Sequence, residues 1–231
     1  MIEKLNDWNI DPDPETLAFH LRQAEPYRST VHFASFARPW LATSNHIIDL
    51  GCGAGQATGY LAEQFPQAEF LGIDVSPKLV ELARQQAPTA SFITGDMHSL
   101  MHRSADGVIS LATLSWMPGF EEPLHQITEK IHPKWMAFSA LIYHGDISAQ
   151  IVVDEPKRPR KSYYNIYSAK QIQKFLMASG YYLKKAEPFV IDIDLPKPAD
   201  DDLMKSYTCG KAIFSGPLYL PWAFMLFARD E

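Results

Sequence analysis

The amino-acid sequence predicts an open α/β sheet, mostly parallel, with helices on both faces. Short apolar runs alternate with helix-patterned runs between residues 46 and 145, and that alternation calls for parallel pairing with crossover helices. The first apolar run opens directly into Gly51-Cys52-Gly53-Ala54-Gly55, and the second ends on Asp74. A glycine-rich strand-to-helix turn, followed by an acid at the end of the next strand, marks the ligand end of such a sheet.

Residues 15–27 read as a helix begun by the turn Asp11-Pro12-Asp13-Pro14, and residues 30–42 as a second, rich in aromatics (Phe33, Phe36, Trp40). Strands are expected at 46–50, 70–73, 90–93, 107–111 and 135–143, with helices at 56–64, 77–86 and 121–131. Pro77 suits a first helical turn, where its missing N–H costs nothing. Residues 146–167 show no period. A helix at 169–179 ends at Gly180, which suits a left-handed cap. The runs 181–195 and 218–228 read as two long strands that pair antiparallel at a sheet edge.

A chain of 231 residues is of single-domain size. Lys and Arg number 21 against 27 Asp and Glu, a net charge of −6. That balance lacks the positive field that nucleic acid requires, so no nucleic-acid partner is expected. Two cysteines, Cys52 and Cys209, are too few for a disulfide framework, so a reducing cytoplasm is expected. No signal peptide is expected, because no apolar run follows a basic start in residues 1–7. Runs such as 222–228 are too short to span a bilayer, so no membrane partner is expected either.

Three glycines at alternate positions after a buried strand let the backbone pass close beneath a ligand, where a Cβ would collide. Asp74 lies 19 positions beyond Gly55, near the ~20 expected of a carboxylate that grips ribose hydroxyls. The dinucleotide pattern needs glycine at position 56 or 58, where Gln56 and Thr58 stand. No Lys-Ser or Lys-Thr pair follows the glycines, which excludes a nucleoside-triphosphate loop. Asp49 is left with two roles, one structural within the loop and one toward the ligand. Cys52 is a small filler, with no His or acid placed to activate it.

Asp49-Leu50-Gly51-Cys52-Gly53-Ala54-Gly55 resembles the first motif of the class I S-adenosylmethionine-dependent methyltransferases. Gly72-Ile73-Asp74-Val75-Ser76 resembles their ribose-acid motif, Thr94-Gly95-Asp96-Met97 their adenine-contacting motif, and Ala105-Asp106-Gly107-Val108-Ile109-Ser110 their fourth strand. The four lie in the family's order over residues 46–145. The resemblance implies a Rossmann-like, seven-stranded, mostly parallel sheet with one antiparallel edge strand, and S-adenosylmethionine as cofactor, with no metal. It places Gly51, Gly53 and Gly55 beneath the methionine part and ribose, Asp74 on the ribose hydroxyls and Asp96 on the adenine amino group. Asp49, Val75, Met97, Ser110 and Leu111 complete the implied cofactor set. One domain over 1–231 is expected: a helical N-terminal cap (1–45), a cofactor-binding core (46–145), an insertion or lid (146–167), and a C-terminal helix with two strands (168–231).

Displacing a methyl group from a sulfonium needs orientation and exclusion of water more than covalent help. A base is needed only where the nucleophile carries a proton of high pKa. No Asn/Asp-Pro-Pro-aromatic motif follows residue 110, which lowers readings as a methylase of nucleic-acid amines or glutamine amides. Leu114-Ser115-Trp116 resembles the trans-aconitate and malonyl carrier-protein methyltransferases, which esterify carboxylates. Those have Gln or His where Ser115 stands, and sugar and quinone methyltransferases share the pattern. Lys157, Arg158, Arg160 and Lys161 put four cations in five positions. They read either as a solvated loop or as an anion-binding lid that meets a carboxylate, a phosphate or an acidic carrier protein. Tyr27, Trp116, Tyr143, Tyr164, Arg158 and Arg160 are the candidate substrate contacts, and His32 and His144 the candidate bases. The expected activity is S-adenosylmethionine-dependent methyl transfer to a small-molecule carboxylate or hydroxyl oxygen. A C- or N-methyltransferase on a small metabolite and a non-catalytic module of the same fold are the alternatives.

Overall fold

The computed structural model describes residues 26–154, 161–198 and 206–230. The helix expected at 15–27 and the cations Lys157, Arg158 and Arg160 lie outside the described residues, apart from Pro26 and Tyr27, which precede the first helix in non-helical form. The single helix expected at 30–42 is two, α1 (Arg28–Phe36) and α2 (Arg38–Leu41). Pro39 explains the break: its ring removes a donor and crowds the carbonyl four residues back, so it is tolerated only in a first turn.

The remaining core alternates as expected: β1 (His46–Leu50), α3 (Gln56–Gln64), β2 (Glu69–Asp74), α4 (Pro77–Gln86), β3 (Ser91–Thr94), β4 (Gly107–Leu111), α5 (Glu121–Gln126) and β5 (Trp135–Tyr143). Helix α5 is shorter than the expected 121–131, because residues Ile127–Ile131 form a π turn closed by His132 at φ +51°. Beyond β5 come β6 (Val152–Asp154), β7 (Lys161–Tyr163), β8 (Ile166–Ser168), α6 (Ala169–Ala178), β9 (Tyr181–Pro188), β10 (Ser206–Cys209), β11 (Ala212–Ser215), β12 (Leu218–Tyr219) and β13 (Trp222–Arg229).

The main sheet runs β3-β2-β1-β4-β5-β13-β9, with β8 paired parallel to the end of β5 as an eighth short strand. Strands β1 to β5 pair parallel, and β13 is antiparallel to both β5 and β9. The one antiparallel strand therefore lies a place inside the edge, not on it as expected. The burial patterns give the reason: β13 is buried on both faces except at its ends, while β9 alternates with every second residue exposed. A strand covered on both sides belongs inside a sheet, and an alternating one tolerates an edge.

The run expected as one strand at 218–228 is cut at Pro221, which cannot donate to a ladder. Its first piece, β12, joins a separate three-stranded sheet, β10-β11-β12. The insertion also has more structure than expected: β6 and β7 form an antiparallel pair and β8 joins the main sheet. Two buried clusters cover the faces of the main sheet. Phe33, Phe36 and Leu41 of α1 and α2 pack with Leu61, Ile109 and Phe224 on one side. Leu124, Ile172 and Leu176 pack with Leu50, Val108 and Phe138 on the other. Among the described residues no helix is long and apolar enough to cross a membrane.

Candidate cofactor and acceptor site

Gly51, Gly53 and Gly55 all hold positive φ, at 76°, 54° and 82°. Only glycine adopts that region without strain. A Cβ on Gly51 would also stand 2.3 Å from Thr113 Oγ1, and one on Gly55 2.9 Å from Ala83 Cβ and Phe92 Cζ. Gly51 N and Cys52 N donate to Ile73 O at 2.8 and 3.2 Å, which stitches the loop to the end of β2. One residue further, the Asp74 carboxylate accepts Gly53 N at 2.8 Å on Oδ2 and Ser76 N at 2.9 Å on Oδ1. Two amides thus aim this carboxylate at the lip of the loop, and a carboxylate offers about four acceptor positions.

Asp49 lies under the same loop, 1% exposed. Its Oδ2 accepts the Thr58 hydroxyl at 2.6 Å, whereas Oδ1 has no hydrogen-bond partner among the described residues. Burial, reinforced by the charge on Asp74, raises its pKa to about 7. A buried, unpartnered carboxyl oxygen costs free energy until a donor or cation reaches it. S-adenosylmethionine brings an ammonium and a sulfonium, so the orphan oxygen, the glycine cradle and the aimed Asp74 fit that cofactor. Burial and the same two acids push the Cys52 thiol up, consistent with a filler.

The rest of the expected cofactor set is mixed. Asp96 follows β3 and is half exposed, its Oδ1 accepting His98 N at 2.9 Å and facing His98 Nδ1 at 3.1 Å. Val75 and Leu111 are half-buried beside the loop strands. Met97 is buried in the core, and the Ser110 hydroxyl donates to Leu50 O at 2.9 Å. Those two side chains are turned to packing and to β1, leaving only backbone for a ligand.

On the acceptor side, β4 leads into Ala112 at φ +57°, a strained conformation held by Ala112 N donating to Ser139 Oγ at 2.8 Å. Thr113 Oγ1 then donates to Gly51 O at 3.3 Å, joining the cofactor loop to the next turn. That turn, Leu114–Trp116, is a 3₁₀ helix. It sets Trp116 edge-on to Tyr164, with ring centroids 4.1 Å apart, and 6.4 Å from Trp222. Buried Leu141, Ile213 and Leu220 complete the cluster, so the β10–β12 sheet covers it.

Of the expected wall residues, then, Trp116 and Tyr164 come together. Tyr143 is half exposed beside Gly145, and Tyr27 lies at the start of α1, its phenol pushed up to about 12 by burial; neither belongs to the cluster. Arg158 and Arg160 fall outside the described residues. His144 is exposed after β5. His32 Nε2 sits 2.5 Å from Glu187 Oε1, its ring edge-on to Phe224 and tilted against Phe189. Ser115, where the resembling families carry Gln or His, is turned inward, its Oγ accepting Leu141 N at 2.8 Å.

Thr113, Ser115, Asn165, Tyr167, Glu187 and Trp222 were not in the expected set. Trp222 alone carried a local signal, an aromatic that opens an apolar run after Pro221. The others act through contacts distant in sequence.

A profile of the methyltransferase domain family matches residues 47–134. Trans-aconitate 2-methyltransferase of Paracidovorax citrulli is 31% identical over 115 residues, covering 48% of this chain and 44% of that protein. The enzyme of that name from Escherichia coli is 27% identical over 192 residues, 77% of this chain and 73% of the relative. In structure, the magnesium protoporphyrin IX methyltransferase of Synechocystis PCC 6803, solved with bound S-adenosylmethionine, superposes with a TM-score of 0.57 at 18% identity, covering 88% of this chain and 79% of that one. The matched profile spans the glycine loop, the ribose acid and the fourth strand, so residues 47–134 are similar to the methyltransferase domain family, and the sheet is of the same kind as in that solved structure.

Proposed function

We propose that the chain transfers the methyl group of S-adenosylmethionine to a carboxylate oxygen of a small organic acid. The observation that carries this reading is the Leu114–Trp116 turn. It resembles that of carboxylate methyltransferases, and Thr113 joins it to Gly51 at 3.3 Å, so the aromatic cluster borders the cofactor loop. The trans-aconitate methyltransferases among its relatives support the same acceptor class. A carboxylate, with a pKa near ~4, is already ionised at neutral pH and needs no base. The tasks left to the protein are orientation and exclusion of water, and an aromatic wall serves both.

In this reading Asp74 grips the ribose hydroxyls and Asp96 the adenine amino group, while Asp49 Oδ1 takes a donor from the cofactor. Arg158 and Arg160 meet the acceptor's charge. An acceptor carboxylate tethered to an acidic carrier protein suits the same basic residues, and the cytoplasm suits a chain whose two cysteines are free. The test is a screen of di- and tricarboxylic acids, trans-aconitate among them, against phenols and amines, with S-adenosylhomocysteine release as readout. A carboxylic acid should be the best acceptor; turnover confined to phenols or amines would overturn the reading.

The His32–Glu187 pair favours a second reading, a hydroxyl acceptor. A carboxylate that orients an imidazole is the usual support of a general base.

A further inference from the structure

Asn165 is 1% exposed and engages its backbone N–H and both polar atoms of its side chain. Its N donates to Ser115 O at 2.9 Å, and its Nδ2 donates to Met117 O at 2.9 Å and to the Tyr167 hydroxyl at 3.2 Å. Its Oδ1 accepts Ile151 N at 2.9 Å. Tyr167, also buried, donates from its hydroxyl toward Met117 O at 3.0 Å and Leu114 O at 3.3 Å. Three carbonyls in and just after the Trp116 turn, those of Leu114, Ser115 and Met117, are therefore held by two residues some 50 positions later. A three-residue 3₁₀ turn has few bonds of its own to hold it. The residue before Asn165 is Tyr164, the ring that Trp116 meets edge-on, and Tyr164 N donates to Ile151 O at 2.9 Å.

We infer that Asn165 is a positioning residue for the acceptor. It fixes the turn that carries Trp116 and, through its own backbone, the strand end that carries Tyr164, so one buried amide sets the angle between two walls. Generic packing would not require this residue type. Leucine would fill the space but leave Ile151 N without its acceptor and Met117 O with the Tyr167 hydroxyl as its remaining donor, a loss that outweighs the apolar gain. The inference rests on the reading that the acceptor meets Trp116.

The test uses Asn165→Asp, which keeps size but removes the donor to Met117 O, and Tyr167→Phe, which removes the hydroxyl alone. Hydrogen exchange of residues 113–118 and acrylamide quenching of Trp116 emission, isolated with Trp116→Phe, need no acceptor. In both variants exchange in this segment and quenching should rise severalfold, while the S-adenosylhomocysteine Kd stays within about twofold. With the best acid of the screen, KM should rise about tenfold and kcat change less than threefold, as loss of a buried hydrogen bond remote from the reacting atoms predicts. Unchanged exchange and quenching would overturn the inference, as would cofactor affinity falling in step with KM, which marks general destabilisation. If Asn165→Asp does not fold, Tyr167→Phe decides. Failure of the carboxylate reading shows separately, as a wild type that methylates no acid while exchange and quenching still respond.

Discussion

The glycine loop and the Leu114–Trp116 turn touch at Gly51 O and Thr113 Oγ1, 3.3 Å apart, yet they are held in opposite ways. The loop is fixed by its own backbone conformation, by two amides bonded to Ile73 O and by the carboxylate at the end of the adjacent strand. The turn is fixed by side chains from residues 165 and 167, across the insertion. The loop is a local device, readable within a few residues, whereas the proposed acceptor walls are set by contacts distant in sequence. The two halves should therefore break differently.

The largest effect is expected on the loop side. Asp74→Ala should weaken S-adenosylhomocysteine binding by on the order of 2 to 4 kcal/mol, for two charge-assisted hydrogen bonds at ~1.5 to 3 kcal/mol each, partly replaced by water. It also leaves Gly53 N without its acceptor. Calorimetry showing wild-type affinity would refute the ribose assignment. Gly51→Ala should cost cofactor affinity on the order of 1 to 3 kcal/mol, the usual range for a strained backbone position, because φ is +76° and the new Cβ meets Thr113. Adding Thr113→Ala should recover part of that loss, since it removes the overlap but not the strained φ. If the double variant recovers nothing, the contact between loop and turn does not matter to the cofactor.

Asp49 sharpens the comparison through pH. Its folded pKa is raised to about 7, so the fold holds a proton that the unfolded chain releases near ~4. Stability should fall as pH rises from about 4 to 7, at up to ~1.4 kcal/mol per pH unit, and level off above. Asp49→Asn removes that slope. At pH 8 the cofactor-free variant should be more stable than wild type by up to ~4 kcal/mol, with the gap closing toward pH 4.5. Urea unfolding at the two pH values checks this; a gap independent of pH would contradict the account.

The smallest effect is expected from the histidines. His32→Gln and His144→Asn should each slow methyl transfer to an acid less than about tenfold, with a flat rate from pH 6 to 8. A loss of about 10²- to 10⁴-fold in His32→Gln would favour the hydroxyl reading instead.

The sequence made the loop side legible because every constraint there is local. Alternate glycines, an acid at the end of the next strand and a proline-started helix can each be read within a few residues. The place of β13 inside the sheet also has a sign in the sequence, in the contrast between the continuous apolar run 222–228 and the polar Lys184, Lys185 and Glu187 that interrupt the other run. The breaks at Pro39 and Pro221 are likewise local, since each proline removes a backbone donor at its own position. Asn165 and Tyr167 gave no local sign, since nothing in Tyr163-Tyr164-Asn165-Ile166-Tyr167 tells which turn some 50 residues earlier they will bind. Ser115, which stands where the resembling families carry Gln or His, turns its hydroxyl inward to Leu141 N.

The chemical fate of the methyl group tests the central proposal most directly. Enzyme, methyl-labelled S-adenosylmethionine and the best acceptor from the screen are incubated together, and the labelled product is treated with mild alkali. A carboxylate acceptor gives a methyl ester, so the label should leave as methanol. Label that survives alkali, as an aryl ether or a methylamine would, contradicts esterification and returns the site to a hydroxyl or nitrogen acceptor.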